Sequence, residues 1–268
     1  MLPTEPLSIG GVLDAGIRLY RNTFRSVLPL IAVAAVPYAL ANAWMGAVTP
    51  AADEGPELAV GQLGLFLVAM LGVYLALMFL AYALGHKIVA LAKDEPSSVS
   101  SAVVAGLKYM LPGFVLVILS ILALGIGYVL LIIPGLILTV SLAFYTLVPL
   151  MEERSVWAGL NRSHHLVWRG GWLRTAAVLT VMSVVLMALY VILTLVVGLT
   201  LAPSMLSEDP LAAASGGSAI GTFVVTWVSV ALFSPLYSAI AVVQYNDLQL
   251  RVDGTDIESD LEAMQGSA

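Results

Sequence analysis

The 40 residues from Leu111 to Leu150 contain no charged side chain. A helix needs about 20 apolar residues to cross the hydrocarbon core of a bilayer, so this stretch is long enough for two crossings. The rest of the chain agrees: 60% of all residues are hydrophobic and only 10% are charged. A soluble domain carries about 25% charged residues. In lipid, backbone polar groups must be satisfied within the segment, which favours helices. The composition predicts an all-α, polytopic membrane protein forming one membrane domain over residues 1–268, and excludes disorder, collagen and coiled coil.

Apolar runs predict six transmembrane helices, at about 27–45, 60–84, 111–132, 135–150, 172–201 and 219–243. Pro134-Gly135 is expected to form the turn inside the long uncharged stretch. The positive charges support this count. Arg18, Arg21 and Arg25 precede the first span, and Lys87, Lys93 and Lys108 lie between the second and third. Arg154, Arg162, Arg169 and Arg174 lie between the fourth and fifth, and Arg251 follows the sixth. These are all 11 Lys and Arg residues of the chain. The three alternate connections contain none, which is the positive-inside pattern. It predicts both termini on the cytoplasmic side, and the heavy use of Ala, Val and Leu points to a bacterial inner membrane as the expected location. Glu5 and Asp14 argue against a signal peptide at the start.

The charged connections carry amphipathic patterns. Ile9, Val12, Leu13, Ile17, Tyr20 and Phe24 recur at helical spacing, with Ser8 as an expected N-cap. Residues 8–25 are therefore predicted to form an interfacial helix, and 97–110 and 155–167 look similar. The steps Ala15-Gly16, Ala105-Gly106 and Ala158-Gly159 fall one in each of these segments. Two explanations stand: three repeats of interfacial helix plus hairpin, or convergent use of small residues where helices dock. The two longer outer loops, 48–59 and 203–218, hold Asp53, Glu54, Glu57, Glu208 and Asp209 but no Lys or Arg, and are expected to be short and solvated. The acidic end 253–268 is expected to form a solvated or partner-binding cytoplasmic tail.

A set of short motifs occurs in a particular order. Pro6-Leu7-Ser8-Ile9-Gly10, Leu13-Asp14 and Arg18-Leu19-Tyr20-Arg21 lead into a proline-containing span. Ile133-Pro134-Gly135-Leu136 and Val148-Pro149-Leu150-Met151-Glu152 bracket the fourth. Ala158-Gly159-Leu160-Asn161-Arg162-Ser163 and Gln244-Tyr245-Asn246-Asp247-Leu248 follow, with Arg251 and Gly254. In this order the chain resembles the prokaryotic glycerophosphoryl diester phosphodiesterase membrane domain family over nearly its whole length. The resemblance implies a six-span membrane region standing alone. A phosphodiesterase barrel needs about 250 residues, and the longest soluble stretches here are far shorter, so no hydrolase activity is implied. Gly11 departs from the pattern, since an acidic residue there would complete a capping box with Ser8.

Chemistry is sparse in the sequence. Zero cysteines exclude disulfides and thiolate metal sites. The net charge of −6 argues against nucleic acid as a partner. Apart from Arg174 at the mouth of the fifth, the spans hold no Asp, Glu, Lys, Arg or His, which argues against a proton-coupled transporter. Asn42, Gln62, Thr180, Ser183 and Thr194 are expected to bond between helices or back to a helix carbonyl. His164 and His165 are about 100° apart on a helix and cannot chelate one metal. With Trp157, Trp168 and Trp172 they read as an interfacial belt. The spacing Asp256-x-Glu258-x-Asp260 lacks the glycine and final acid of a calcium loop. Neither a metal nor a cofactor is expected.

The position of Asp14, Arg18, Glu152, Arg162, Asp247 and Arg251 near the charged ends predicts a cytoplasmic polar cluster closing the hairpins around one point. Arg21, Arg25, Lys87, Lys93, Lys108, Arg154, Arg169 and Arg174 are expected to meet anionic lipid headgroups, each contributing about 1 kcal/mol. The leading functional expectation is a non-enzymatic membrane component that organises lipid or protein partners, including copies of itself. The alternatives are a lipid or small-solute carrier, and an interfacial enzyme using Glu152 or Asp247 with His164.

Overall fold

The computed structural model describes residues 1–48, 56–130, 132–205 and 217–266. Among these it forms helices α1 (Ile9–Val48), α2 (Pro56–Ala92), α3 (Val99–Leu130), α4 (Ile132–Ser141), α5 (Val148–Met151), α6 (Ala158–Met205) and α7 (Gly217–Gly266), and no strand. Serines start three of them. Ser8 Oγ accepts the Gly11 N–H at 3.0 Å, as expected of an N-cap. Ser98 Oγ accepts the Ser101 N–H at 3.0 Å, and Ser155 Oγ accepts the Ala158 N–H at 3.3 Å.

Five helices are long and apolar enough to cross a membrane: Ile9–Met45, Leu63–Ala92, Val99–Val129, Ala158–Val197 and Gly221–Gly254. The chain is therefore an all-α, multi-pass membrane protein. The expected fourth span, 135–150, is not a continuous helix. The 10-residue α4 is followed by turns over 142–147 and then by the four-residue α5. Proline marks the far side of the break, although Pro29, Pro37, Pro112 and Pro235 are accommodated inside continuous helices. Pro149 has no N–H to donate to residue 145 and its ring would clash there, so it sits in the first turn of α5 instead. Pro134-Gly135 is not the turn either, because both lie inside the first turns of α4. A Cβ on Gly135 would come within 2.5 Å of the Tyr128 ring, so glycine lets α4 fold back against α3.

The three predicted interfacial helices are not all separate elements. The first is continuous with its span in α1, and the second with its span in α3. Only the third is set off. Gly171 takes φ 108°, which kinks α6 between residues 158–170 and 172–205. Glycine adopts this backbone at no steric cost. α7 continues through the acidic segment to Gly266, so that tail is helical; its side chains from residue 255 onward lie outside the description. Loop residues 49–55 and 206–216 also lie outside the described residues.

α1 packs between α2 and α7, α3 packs on α2, and α6 packs on α7. Each Ala-Gly step sits where a neighbour comes closest. A Cβ on Gly16 would meet Ile240, one on Gly106 the Phe79 carbonyl, and one on Gly159 the Tyr145 carbonyl, all within 3 Å. Close docking accounts for the three glycines without invoking a repeat.

The core is concentrated toward the end that carries the charges. Val12, Leu19, Ile88, Leu166 and Leu248 belong to one buried cluster there. Toward the other end, Leu65, Leu67, Ile126, Val129, Leu195 and Leu199 are exposed. Lipid is as apolar as these side chains, so burying them against each other yields little. Where water reaches the charged end, each buried Leu or Ile contributes about 1.5–3 kcal/mol.

Candidate functional site

Two carboxylates organise the charged end: Glu152 is held by side chains of α7, and Asp247 is carried on α7. Tyr245 and Gln249 are spaced i, i+4, and so are Asp247 and Arg251. Two residues along a helix turn the direction by about 200°, so the pairs use opposite faces of α7.

On one face lies Glu152, just past α5, with a side chain 9% exposed. Its carboxylate accepts from Arg162 Nε at 2.8 and 3.1 Å, from the Tyr245 hydroxyl at 2.6 Å and from Gln249 Nε2 at 3.0 Å. Arg154 Nε lies 2.8 Å away, and Arg162 Nη2 also reaches Asp253 at 3.3 Å. Burial alone would raise the Glu152 pKa. The Tyr245 and Arg162 hydrogen bonds and the charges of Arg162 and Arg154 outweigh burial and hold it below its ordinary value.

That direction fixes a pH dependence. A depressed carboxyl pKa contributes stability above the unfolded-state value and loses it as pH falls through the folded-state value. Thermal stability in detergent should therefore fall as pH drops below about 4.5. Glu152→Gln should start about 1–3 kcal/mol less stable and lose less over that window. Equal losses in both proteins would show that Glu152 is not the titrating group.

On the opposite face, Asp247 is 1% exposed. Its Oδ1 accepts the Leu7 N–H at 2.7 Å. Its Oδ2 accepts from Arg174 Nη2 at 3.0 Å and Nε at 3.2 Å, and from Arg251 Nε at 3.0 Å. Both arginines also donate to the Leu7 carbonyl, Arg251 at 2.7 Å. The segment before α1 is thus pinned to α6 and α7. Asn246 Nδ2 holds the Pro3 carbonyl at 2.9 Å, and the Met1 ammonium pairs with Asp94 at 2.6 Å.

The expected single cluster is therefore two clasps with partly different members. Glu152, Arg162, Asp247 and Arg251 take part. Asp14 and Arg18 do not: both are exposed on α1 and form no ion pair or hydrogen bond among the described residues. Their helix face points away from α7, which docks on Gly16.

The expected headgroup cations also divide. Arg174 belongs to the Asp247 clasp. Lys87 is buried and donates to the Ser97 carbonyl at 2.8 Å, closing the link from α2 to α3. Arg154 pairs with Glu152, and Lys93 Nζ donates to the Met151 carbonyl at 3.0 Å. Lys108 lies 4.9 Å from the centre of the Tyr109 ring. Arg21, Arg25 and Arg169 are exposed, and Arg169 has a further interaction. His164 stacks beside Trp168 at 5.8 Å and makes no hydrogen bond to Glu152 or Asp247 among the described residues.

Ser163 stood out in the sequence only as the end of the Ala158–Ser163 motif. In the structure it mends the broken segment. Its hydroxyl donates to the Ser141 carbonyl at 2.8 Å and accepts the Phe144 N–H at 3.2 Å. Trp168 donates to Ser141 Oγ at 3.1 Å and Trp172 to the Ile137 carbonyl at 3.3 Å. Two of the three tryptophans expected in a belt thus point their N–H groups at α4. Backbone groups left open by a broken helix must find such partners away from water.

The broken segment also walls a cavity of about 370 Å³ between α2, α6 and α7. Leu77, Leu84, Leu186 and Phe233 line it, together with the hydroxyls of Thr146, Ser229, Ser234, Tyr237 and Ser238. Ser229 and Ser234 bond back to their own helix. Thr146, Tyr237 and Ser238 have no hydrogen-bond partner among the described residues. No family model, no curated protein and no solved structure matches the chain.

Proposed function

We propose that this protein is a non-enzymatic membrane component that binds lipid, with an acyl chain in the cavity between α2, α6 and α7. The observation that carries this reading is the cavity itself. Its volume is within the range of about 300–1,000 Å³ typical of small-molecule sites. Its lining is apolar with uncharged hydroxyls only, which suits a chain with an ester or glycerol oxygen near one end. It lies at the level of the membrane-crossing helices, where a lipid is the abundant occupant.

Mass spectrometry of the protein extracted in its native lipid patch tests this reading. Wild-type protein should retain lipid after exchange into detergent. Ser238→Trp, which fills the cavity from α7, should reduce retention at least severalfold without loss of the folded bundle. Equal retention by both would remove the reading.

The charged end is placed on the cytoplasmic side of a bacterial inner membrane in this proposal, in line with the grouping of every Lys and Arg. The chain has no cysteine, so single cysteines can be read without background. Ser100→Cys should be shielded from a membrane-impermeant thiol reagent in whole cells, whereas Ala51→Cys should be labelled. The reverse pattern would invert the topology.

Lipid translocation is a second reading, favoured by the non-helical backbone at 142–147 in the cavity wall. Lipid-flip rates in liposomes that rise with wild-type protein and not with Ser238→Trp would select it over static binding.

A further inference from the structure

A second recess of about 380 Å³ opens at the charged end, between the end of α2, the start of α3 and the segment 149–153. Its ionisable lining is His86, Lys93, Glu95, Lys108, Tyr109 and Glu153. Two ammonium groups and two carboxylates thus face one small space. Neither Glu95 nor Glu153 forms an ion pair with them or with any other described residue. Lys93 uses one donor on the Met151 carbonyl and keeps two, since an ammonium has three. Charges in a stable resting surface are usually paired locally or dispersed. Here both signs are held apart around a hollow.

Backbone geometry points to the same place. Among the described residues only Asp94 and Glu153 have positive φ without being glycine, at 60° and 53°. Both border the recess in sequence or line it. Such conformations cost about 1–3 kcal/mol and cluster at ligand clamps. Asp94 is accounted for by the helix-ending bond from Glu95 N to the Ala90 carbonyl at 2.8 Å. Glu153 takes its positive φ one residue past the C-cap of α5, where it turns the chain along the edge of the recess.

We propose that this recess binds a phosphoethanolamine group, the zwitterionic head of a phospholipid. Lys93 and Lys108 take the phosphate, and Glu95 and Glu153 take the primary ammonium. The inference deepens the lipid-binding reading and rests on it. An anionic headgroup is disfavoured because Glu95 and Glu153 would face it uncompensated, so at Lys93 and Lys108 the proposal departs from the expectation of anionic lipid. Choline is disfavoured because quaternary ammonium is held by aromatic cages. The lining holds no such cage: its rings are the His86 imidazole and Tyr109, and Tyr109 already has Lys108 beside it.

The test measures lipid binding to purified protein in nanodiscs of phosphatidylcholine doped with phosphatidylethanolamine or phosphatidylglycerol. Wild-type protein should prefer ethanolamine over glycerol headgroups by about tenfold. The double variant Glu95→Gln, Glu153→Gln removes both carboxylates and should reverse that order toward phosphatidylglycerol. Glu153→Gly relieves the left-handed backbone, so it should raise the thermal midpoint while lowering ethanolamine preference. A fold defect cannot produce that combination. An unchanged headgroup ratio in the double variant would overturn the proposal.

The remaining outcomes separate the two readings. Retained lipid that depends on Ser238 but shows no headgroup preference overturns this inference and leaves the acyl-chain site standing. Absence of retained lipid in wild-type protein overturns both. Free phosphoethanolamine binding with the same dependence on Glu95 and Glu153 supports the recess chemistry and assigns its source to a soluble ligand.

Discussion

Asp247→Ala is expected to cost about 3–5 kcal/mol, because it breaks a buried ion pair from one side. The carboxylate is the shared acceptor for Arg174 and Arg251 and also holds the Leu7 N–H. Alanine would leave two guanidinium groups of like charge side by side, Arg174 with only 18% of its side chain exposed. It would also free the segment before α1 from α6 and α7. The whole stability of a domain is about 5–15 kcal/mol, so this single change should remove much of it. The measurement is thermal unfolding in detergent, with proteolysis near residue 8 as a local readout. Asp247→Asn keeps the shape and one acceptor oxygen, so its loss should be intermediate. A midpoint within about 2 °C of wild type for Asp247→Ala, under 1 kcal/mol at this chain size, would show that the clasp is dispensable.

Gly16→Ile should be comparably damaging through a different force. A Cβ on Gly16 would lie 2.6 Å from Ile240 Cγ1 and 2.8 Å from the Ile240 Cα. The second atom is backbone, so no rotamer change relieves the clash, and α1 must move off α7. Overpacking in a close-packed interior costs about 1–3 kcal/mol and can exceed that when backbones are forced apart. Among the described residues the contact between α1 and α7 is the most extensive, so its separation also opens the core behind it. Gly125→Ala is the control. Nothing lies within 4 Å of a Cβ there, and the change should be neutral. If Gly16→Ile and Gly125→Ala behave alike, the close approach of α1 and α7 does not hold the bundle together.

The two predictions share a lesson about partners far apart in sequence. Asp247 meets Leu7 across 240 residues, and Glu152 meets Tyr245 across 93. Nothing in a local pattern pairs such residues. Glu152, Arg162, Asp247 and Arg251 stood out in the sequence as charges at span ends. Arg174 and Lys87 looked equally free to meet lipid. Only the turn of α7 shows which face each charge meets. Gln249 carried no signal in the sequence beyond being a polar residue near a span end, and Ser163 none beyond its place in the Ala158–Ser163 motif.

The sequence by itself determined the membrane class, the all-α backbone, the places of five of the six apolar crossings and the serine that starts α1. These follow from hydropathy and helix-end chemistry, which act over one or two turns. The tertiary structure alone decided that the fourth apolar segment is broken at 142–147, where Ser163, Trp168 and Trp172 supply the missing partners. It also decided that the charged end closes through two clasps on opposite faces of α7, leaving Asp14 and Arg18 outside. The physical reason is the same in both cases. A buried polar group must be satisfied by whichever donor or acceptor the packing brings to it, and packing is set by the whole chain at once.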